Sequence, residues 1–476
     1  MQISASRRDF LKLAAAGAAA AAAPSGRAEP GRTAVSGGAF DLCVVGGSAT
    51  GVFAAVRAAE AGLKVALVEN NAVFGGTATA GFVPIWHSMF STKGERIVRG
   101  LTAKVVDRMI ARGEAVTRKT NKDPCWWTTS LNVAALSVTL DELVAEQSGI
   151  VPMLSTRFVA AETDRPGHVT RVFVEDKDGR KSIEAKFFID ATGDADLLAR
   201  AGFETWSLPP CDLQAHTLCA IIANEKTVKR HHPGFSFSAV LEPQNGGGFK
   251  HVFGWDHQVV GCPDVTFNAF TRISNIDPSK AADLTRAMME ARTQLKRIID
   301  HANRMYPVPE GEPKLALVSI APMLGIRESR HARCLCSVTR DDVLLGRTYD
   351  DVIAKGIYRI DVHEGKGIRF LNLDGTENLM SVGEDGRVKW TNSRWRKEGE
   401  VTDHYEIPYR AIVPKGSENV LCAGRMLDCS RDAYGALRVM VNCNQMGEAA
   451  GRAAAKAVKE GLSAAKAYPG YIGGLS

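Results

Sequence analysis

Three glycines in a short turn are the residues whose type and spacing point most directly to chemistry. Gly46, Gly47 and Gly51, with Ser48 among them, follow an apolar run at 41–45 and open a stretch with helical periodicity. Glycines let the backbone turn sharply off a strand and approach a ligand closely. A helix that begins there directs unpaired N–H groups and the positive end of its dipole at a negative charge. The pattern predicts a site for a dinucleotide pyrophosphate, with Ser48 in place of the usual middle glycine.

An acidic residue lies where such a site requires one. A second apolar run, residues 64–68, ends in Glu69, which is 23 residues after Gly46. The order strand, glycine turn, helix, strand and acid is that of a βαβ unit, whose carboxylate accepts hydrogen bonds from the adenosine ribose. Ordinary βα junctions are also glycine-rich, so the remaining chain decides between the two interpretations.

Three further glycine turns follow the βαβ unit. They are Gly75 to Gly81, which includes Gly76 and Thr77; Ala191-Thr192-Gly193, after the apolar run 186–189; and Gly424-Arg425, after the apolar run 419–423. A nicotinamide cofactor needs one such turn, whereas extended FAD needs several close approaches of the backbone to its pyrophosphate and ribityl oxygens. The four turns together predict FAD, and a flexible loop at 75–81 is the alternative.

Two arginines and two histidines later in the chain are candidates for substrate binding and proton transfer. Arg327, Arg330 and His331 lie close together, and His363 follows in a second polar stretch. Guanidinium groups clamp carboxylates, and imidazoles exchange protons near neutral pH. Structural arginines in ion pairs and a surface histidine are equally good interpretations of these residues.

Periodic patterns predict the elements that position these residues. Helices are predicted at 99–113 and 134–147, and a strand meander at 151–174 with a hairpin turn at 176–179. A long helix is predicted to start at Asp277-Pro278. Its apolar stripe comprises Leu284, Met288, Ala291, Leu295, Ile298 and Ala302.

The region 203–401 differs in pattern from the segments on either side of it. It contains glycine loops, hairpin turns at 374–375 and 385–386, and no second nucleotide fingerprint. A separate α+β domain for substrate recognition is therefore predicted there. The first pattern then returns with a small-residue helix through 445–451, which permits close approach to the sheet or to an isoalloxazine. The N-terminal dipole of that helix would favour a reduced flavin.

These segments together resemble the FAD-dependent oxidoreductase family of the glutathione-reductase-like flavoprotein superfamily, from about residue 40 to 460. The resemblance implies an α/β fold, in which a FAD-binding Rossmann-like domain of the glutathione-reductase type carries an inserted α+β substrate domain. The predicted organisation is a signal peptide at 1–28, a linker at 29–38, the FAD-binding domain at 39–202 and 402–465, the substrate domain at 203–401 and a C-terminal tail at 466–476.

The resemblance also implies roles for single residues in cofactor binding. The pyrophosphate turn would use Gly46, Ser48 and Gly51, with Gly47 in the same turn, and Glu69 would hold the ribose. Gly76 and Thr77 would line the phosphate and ribityl chain, and Thr192 and Gly193 would line the adenosine side. Gly424 and Arg425 would lie near the diphosphate and ribityl chain. The segment Arg438 to Asn444, which includes Asn442, would lie near the pyrimidine edge.

Charge and cysteine content exclude several classes of protein. The net charge of +6 falls to +3 without residues 1–28, which carry four Lys or Arg and one Asp, so neither nucleic acid nor an anionic membrane is indicated as a partner. The ten cysteines lack the spacing of a zinc site or a disulfide framework, so no metal is predicted and free buried thiols, with at most one bridge, are expected.

The N-terminus has the pattern of an export signal. Arg7 and Arg8 precede a weakly apolar, alanine-rich run at 13–23 and small residues, which resembles a twin-arginine signal. A basic leader before an alanine helix is the alternative. Export predicts a periplasmic or extracellular protein, and no transmembrane segment is expected in the mature chain.

The function that these observations favour is an exported FAD-dependent oxidoreductase. Hydride would pass between a small organic substrate and flavin N5, with oxidation of a C–OH or C–H group as the favoured direction. His87 or His363 would act as the acid/base, and Arg327 or Arg330 would clamp the substrate. The electron acceptor is unidentified. The alternatives are a periplasmic reductase of an unsaturated acid, of the fumarate-reductase type, and a non-catalytic flavin-fold binding protein. A nicotinamide-only dehydrogenase is less favoured, and covalent attachment of the flavin through His87 stays open.

Overall fold

The computed structural model describes residues 35–119, 127–249, 251, 253–364, 367–383 and 387–471 of the 476-residue chain. The predicted signal peptide at 1–28 and the predicted hairpin turn at 385–386 lie outside the described residues.

The strands and helices of the described chain have the following bounds. The strands are β1 Val35–Val45, β2 Val65–Val68, β3 Ile85–His87, β4 Ala115–Lys119, β5 Trp127–Leu131, β6 Ile150–Met153, β7 Arg157–Arg165, β8 His168–Asp176, β9 Gly179–Asp190, β10 Thr205–Trp206, β11 Ala220–Ala223, β12 Asp256–Gln258, β13 Val265–Asn268, β14 Ala316–Ile320, β15 His331–Ala332, β16 Val352–Gly356, β17 Ile360–Glu364, β18 Gly367–Leu371, β19 Thr376–Val382, β20 Val388–Arg394, β21 Tyr405–Pro408 and β22 Val420–Cys422. The α-helices are α1 Ala49–Glu60, α2 Gly100–Ala111, α3 Val133–Ala145, α4 Asp196–Arg200, α5 Glu225–His231, α6 Phe237–Leu241, α7 Ala281–Met305, α8 Arg340–Leu345, α9 Arg431–Leu437 and α10 Met440–Glu460.

A seven-stranded mixed sheet, β6-β2-β1-β9-β8-β7 with β22 also beside β9, forms the centre of the fold. The pairs β1–β2, β2–β6, β1–β9 and β9–β22 are parallel, while β7, β8 and β9 form an antiparallel meander. The meander predicted at 151–174 is thus confirmed for β7 and β8, with the hairpin turn at 176–179, but not for β6, which pairs with β2. In register, Val45 pairs with Val68 and with Asp190, and Asp190 pairs with Cys422. Because these strands run in parallel and end in register, the segments that follow them emerge at one edge of the sheet.

Helix α10 packs along α1 through two glycines. A Cβ on Gly447 would lie 2.1 Å from the carbonyl oxygen of Thr50, and one on Gly451 would lie 2.1 Å from that of Ala54. The small residues therefore allow two helix backbones to approach each other. The prediction that they serve approach to the sheet or to an isoalloxazine is wrong for these two glycines.

Helices α2 and α3 confirm the helices predicted at 99–113 and 134–147 within two residues at each end. Helix α7 confirms the long helix, but its start differs. It begins at Ala281, after an N-cap, Lys280, that makes no side-chain cap hydrogen bond. Asp277 Oδ1 instead accepts hydrogen bonds from Ser279 N and Oγ, so the acid closes a turn before the helix.

The region 203–401 contains separate antiparallel sheets. Strands β12-β13-β11-β14 form one sheet, with part of its apolar core supplied by buried residues of α7 such as Ala287, Ala291 and Leu295. Strands β17-β18-β19-β20 form a meander that includes the predicted turn at 374–375. Many buried residues between 332 and 373 belong to the core of the central sheet, whereas Ile368 and Phe370 form a separate small cluster with Met380. The domain boundaries stay a prediction.

Two further observations concern the cysteines and the membrane. The nine described cysteines that have an assigned state are free, and Cys43, Cys219 and Cys422 are buried as the sequence predicts. None of the helices in the described ranges combines the length and apolarity needed to cross a bilayer.

Candidate functional site

The first glycine turn leaves no room for side chains. Gly46 has φ +107°, and a Cβ there would lie 2.4 Å from the carbonyl oxygen of Ala191. A Cβ on Gly47 would lie 2.6 Å from the ring of Phe74, and one on Gly51 would lie 1.9 Å from the carbonyl oxygen of Gly46. The backbone of the turn, rather than side chains, therefore forms the surface at this edge of the sheet.

Ser48 caps helix α1. Its Oγ accepts a hydrogen bond from Gly51 N at 3.4 Å and lies 3.4 Å from the carbonyl oxygen of Ala191. A serine at this position thus supplies an N-cap that a glycine could not, since side-chain oxygens satisfy the first N–H groups of a helix.

Glu69 is locked to the same turn. Its carboxylate accepts hydrogen bonds at 2.7 Å from Gly47 N and from Asn71 N and Nδ2. Burial raises the pKa of Glu69, and these donors oppose the rise. Oε1 accepts two of these hydrogen bonds and Oε2 accepts one, so Oε2 retains an acceptor position for a further donor such as a ribose hydroxyl.

The second turn lies directly beside the first. Gly75 N donates to the carbonyl oxygen of Gly47 at 2.8 Å. A Cβ on Gly76, which has φ +55°, would lie 3.1 Å from the Cβ of Ser48. Thr77 follows Gly76 in a single 3-10 turn that ends at Ala78. The structure therefore brings Gly76 and Thr77 next to the residues of the first turn.

The third and fourth turns meet through an ion pair. Arg425 NH2 lies 2.6 Å from Asp194 Oδ1, and its guanidinium covers Gly193, where a Cβ would lie 2.7 Å from NH1. Thr192 Oγ1 donates to the buried Asp190 at 2.7 Å, and burial raises the pKa of Asp190 to about 6. Thr192 thus shapes its own turn, and Gly424 is held in the positive-φ region at +125°.

The two candidate arginines lie in different surroundings. Arg330 bonds to Asp194 O at 2.9 Å and to the Asp196 carboxylate, so it fixes the turn after β9. Arg327 instead bonds to Thr217 Oγ1 at 2.8 Å and to the carbonyl oxygen of Ala215. The two side chains therefore do not form one clamp.

His331 also lies apart from His363. It is buried, with Nε2 3.3 Å from Glu328 Oε1, and it stacks on Trp206 at a ring distance of 4.4 Å. It therefore belongs to a buried packing cluster.

A second cluster surrounds His363, and we call it the His–Arg cluster: His87, Gln214, Arg272, Arg327, Tyr358, Asp361, His363 and Arg438. His363 Nε2 lies 3.0 Å from Asp361 Oδ1, and its Nδ1 lies 3.4 Å from Arg272 NH1. Tyr358 donates to Asp361 Oδ2 at 3.0 Å, and its ring lies 4.9 Å from that of His87. His363 thus pairs with the carboxylate directly, and His87 joins the cluster through the ring of Tyr358.

Arginines crowd the same carboxylate. Arg438 NH2 lies 3.5 Å from Asp361 Oδ2 and 3.4 Å from Gln214 Oε1. Burial, followed by the charges of Arg438 and Arg272, lowers the pKa of Arg327 to about 9. The three guanidiniums therefore act on one another across the cluster.

Burial controls the protonation of the central pair. Burial lowers the pKa of His363 to about 3, although Asp361 opposes the shift. Burial alone would raise the pKa of Asp361, but His363 and Arg438 hold it below its ordinary value. His363 is therefore neutral and Asp361 ionised at neutral pH.

Several buried polar atoms near the start of α10 have no hydrogen-bond partner within the described residues. They are Asn442 Oδ1, Asn444 Nδ2 and Oδ1, Gln214 Nε2 and Arg438 Nε. Leaving a buried polar atom unbonded costs about 1–3 kcal/mol, so these atoms fit a bound polar group. Asn442 Nδ2 already donates to Tyr405 Oη at 3.0 Å.

The sequence predicts none of Gln214, Arg272, Tyr358 and Asp361 as site residues. No local motif marks Gln214 or Arg272, because they come from loops far apart in the chain. Asp361 carried a signal, since an acid two residues before a histidine in a strand lies on the same face. No group of three or more metal-ligand side chains is arranged around a common point in the part of the chain that the structure describes.

Comparison with known proteins identifies the family. A family model described as FAD dependent oxidoreductase matches residues 41–467, so the chain belongs to the FAD-dependent oxidoreductase family and FAD is its cofactor. The glycine turns, which leave no room for added side chains, and the unbonded amide atoms of Asn442 and Asn444 fit such a group. Among curated proteins, none matches the sequence significantly.

Several solved structures resemble the chain at low similarity. The p-nitrophenol 4-monooxygenase of Pseudomonas putida DLL-E4 is 12% identical, with a TM-score of 0.44 over 90% of this chain and 84% of that chain. The myxobacterial FAD-dependent chondrochloren halogenase is 13% identical, with a TM-score of 0.45 over 90% and 77%. A geranylgeranyl bacteriochlorophyll reductase-like protein of Thermoplasma acidophilum is 12% identical, with a TM-score of 0.43 over 89% and 79%. None of these likenesses carries an argument about the reaction.

Proposed function

We propose that the protein transfers a hydride between a small organic substrate and FAD, with oxidation of C–OH or C–H as the favoured direction. The observation that carries the proposal is the buried pair of His363 and Asp361, 3.0 Å apart, next to the unbonded polar atoms at the start of α10. When bound, FAD supplies the hydride acceptor or donor at N5.

The proposed FAD site is centred on the turns that follow the parallel strands β1, β9 and β22. The first turn, residues 46–51, would receive the pyrophosphate, and Glu69 the ribose. The remaining proposed contacts are Gly76, Thr77, Thr192, Gly193, Gly424, Arg425, Arg438 and Asn442. The return of β22 to the sheet of β1 supports a discontinuous FAD-binding domain of the glutathione-reductase type.

His363 is the proposed acid/base. Nε2 lies 3.0 Å from Asp361 Oδ1, which favours the ring proton on Nε2 and the lone pair on Nδ1. Nδ1 accepts only a long, 3.4 Å hydrogen bond from Arg272, and a neutral imidazole whose lone pair is weakly engaged can take a proton from a substrate. His87, which is half-buried against Tyr358, is the alternative.

The test is anaerobic. The FAD-loaded chain is mixed with pools of small metabolites, and bleaching of the flavin absorbance identifies a substrate that is oxidised. The surplus of guanidiniums around Asp361 favours the second candidate, a reductase of an unsaturated acid. Reoxidation of chemically reduced flavin by such an acid would favour that candidate. A flavin that no small molecule reduces or reoxidises would favour a non-catalytic binding protein.

We further propose that the protein is exported in its folded, FAD-loaded state and passes its electrons to a membrane-bound or soluble carrier. The support is the Arg7-Arg8 pair before an alanine-rich run. Replacing both arginines with lysine should retain the protein in the cytoplasm on fractionation, and unchanged export of that variant would contradict the proposal.

A further inference from the structure

We propose that the substrate is an organic carboxylate, whose anionic group is held by Arg327, Arg438 and Gln214. The inference rests on the proposed function and names the class of substrate that the same site takes.

Hydrogen-bond donors in the His–Arg cluster lack acceptors. Gln214 is 1% exposed, and its Nε2 has no hydrogen-bond partner within the described residues. Its Oε1 accepts from Arg438 NH2 at 3.4 Å, while Arg438 Nε has no acceptor in the same part of the chain. Because both open groups are donors, the missing partner is an acceptor, and a carboxylate offers four acceptor positions.

The charges call for an anion rather than a neutral acceptor. The charges of Arg272, Arg327 and Arg438 attract the Asp361 carboxylate. The same carboxylate accepts a hydrogen bond from the Tyr358 hydroxyl and lies 3.0 Å from His363 Nε2. Arg327 and Arg438 share this carboxylate, since Glu328, the other buried acid nearby, accepts from Gln214 N and lies beside His331. Like charges brought together in a buried place are costly. An anion lowers that cost, whereas a cation increases it.

Arg327 differs from other partly buried arginines of the fold. Arg425 pairs with Asp194 at 2.6 Å, and Arg57 pairs with Glu448 at 2.7 Å. The Arg327 guanidinium instead donates to the Thr217 hydroxyl and to the carbonyl oxygen of Ala215. The backbone carbonyl oxygen of Arg327 accepts a hydrogen bond from Tyr434 Oη at 2.6 Å. The side chain is thus held in place by neutral groups, with its charge available to a ligand.

The test uses the FAD-loaded full chain and three matched pairs of probes: acetate and acetamide, crotonate and crotonamide, benzoate and benzamide. Binding is followed by the difference spectrum of the flavin. The carboxylate of at least one pair should bind saturably and at least tenfold more tightly than its amide. Equal affinities within every pair would overturn the proposal, as would the absence of any binding.

Variants locate the effect. Arg327→Gln should weaken carboxylate binding at least tenfold, Arg327→Lys should restore part of it, and the control Arg333→Gln, at a half-exposed arginine over Trp206, should leave it unchanged. Gln214→Glu places a negative charge in the site and should abolish carboxylate binding with FAD retained. This second variant keeps the test decisive if Arg327→Gln does not fold, and unchanged binding in Gln214→Glu would contradict the proposal.

Failure of the inference differs from failure of the proposed function. If neutral compounds bleach the flavin while carboxylates do not bind, the substrate class is wrong and hydride transfer stands. If carboxylates bind but no compound reduces or reoxidises the flavin, the substrate class is supported and hydride transfer is wrong.

Discussion

The glycine turn at 46–51 and the His–Arg cluster are built on opposite principles. The turn is formed by backbone, its hydrogen bonds to Glu69 and Gly75 are closed, and added Cβ atoms would collide with neighbours. The cluster is formed by side chains, several of its donors are open, and its charges are unbalanced. A rigid backbone surface suits an invariant cofactor, whereas open side-chain donors suit a ligand that must enter and leave.

The largest effect is expected in the turn. Gly51→Ala should abolish stable FAD binding, because the new Cβ would lie 1.9 Å from the Gly46 carbonyl oxygen and force α1 to move. Overpacking of this kind costs roughly 1–3 kcal/mol or more. The ratio of flavin to protein absorbance after purification measures the loss. The control Gly234→Ala has nothing within 4 Å of its Cβ and should bind FAD normally. Normal FAD content in Gly51→Ala would contradict the proposal that the turn at 46–51 binds the pyrophosphate.

The second prediction concerns the chemistry of the cluster. His363→Asn should slow flavin reduction by the substrate by about 10² to 10⁴, the usual contribution of a general acid or base, without loss of FAD. Single-turnover absorbance measures the rate. The control is His168→Gln, at a surface pair with Asp164. A larger loss in His87→Asn than in His363→Asn would move the acid/base role to His87.

The third prediction is a pH dependence of stability next to the cluster. Burial, followed by Arg327 and Arg425, lowers the pKa of His216 to about 3 from 6.5, against the charge of Asp194. As the pH is lowered, His216 takes up a proton in the unfolded chain before it does so in the folded protein. The free energy of unfolding that this histidine contributes above pH 6.5 is therefore lost as the pH falls toward 3. At 1.36 kcal/mol per pKa unit, this histidine alone accounts for about 2 kcal/mol between pH 6.5 and 5.

The variant His216→Gln checks this sign, because glutamine can still accept from Arg327 N, which donates to His216 Nδ1 at 3.3 Å. Its free energy of unfolding, from denaturant titrations at several pH values, should fall less on acidification than that of the wild type. Because His363 contributes in the same direction, the variant should lose only part of the pH dependence of the free energy of unfolding. An identical slope in both proteins would rule out a buried neutral His216.

The smallest effect separates the two arginines that the sequence places together. Arg330→Gln should weaken FAD binding by about fivefold, near 1 kcal/mol, because Arg330 only supports the turn at Asp194 and Asp196. Carboxylate binding should not change, in contrast to Arg327→Gln. Calorimetric titration of the apoprotein with FAD and the flavin difference spectrum give the two affinities. Loss of carboxylate binding in Arg330→Gln would join the two regions into one site.

The sequence predicts the glycine turn and its neighbours well because the signal is local. Strand, turn, helix and acid follow one another along the chain, and parallel pairing then aligns Val45, Val68 and Asp190. The cluster has no such signal, since Gln214, Arg272 and Arg438 meet only through tertiary packing. Even three residues suffice to separate Arg327 from Arg330, because one faces Thr217 and the other the turn after β9.

The predicted start of α7 failed for a related reason. Asp277 followed by proline is a typical helix start, but the carboxylate binds Ser279 locally and the helix begins four residues later. Short polar side chains compete for nearby backbone groups in this way, and sequence alone does not decide which partner wins.

The most direct test of the proposed function is anaerobic flavin reduction in matched proteins. Wild type, His363→Asn and Arg333→Gln, each loaded with FAD, are mixed with a small carboxylate substrate found by screening, and absorbance is followed in a single turnover. Bleaching is expected at similar rates in wild type and in Arg333→Gln, and it should be at least a hundredfold slower in His363→Asn with FAD retained. Equal rates in all three proteins, or a wild-type flavin that no small molecule reduces or reoxidises, would contradict the proposed function.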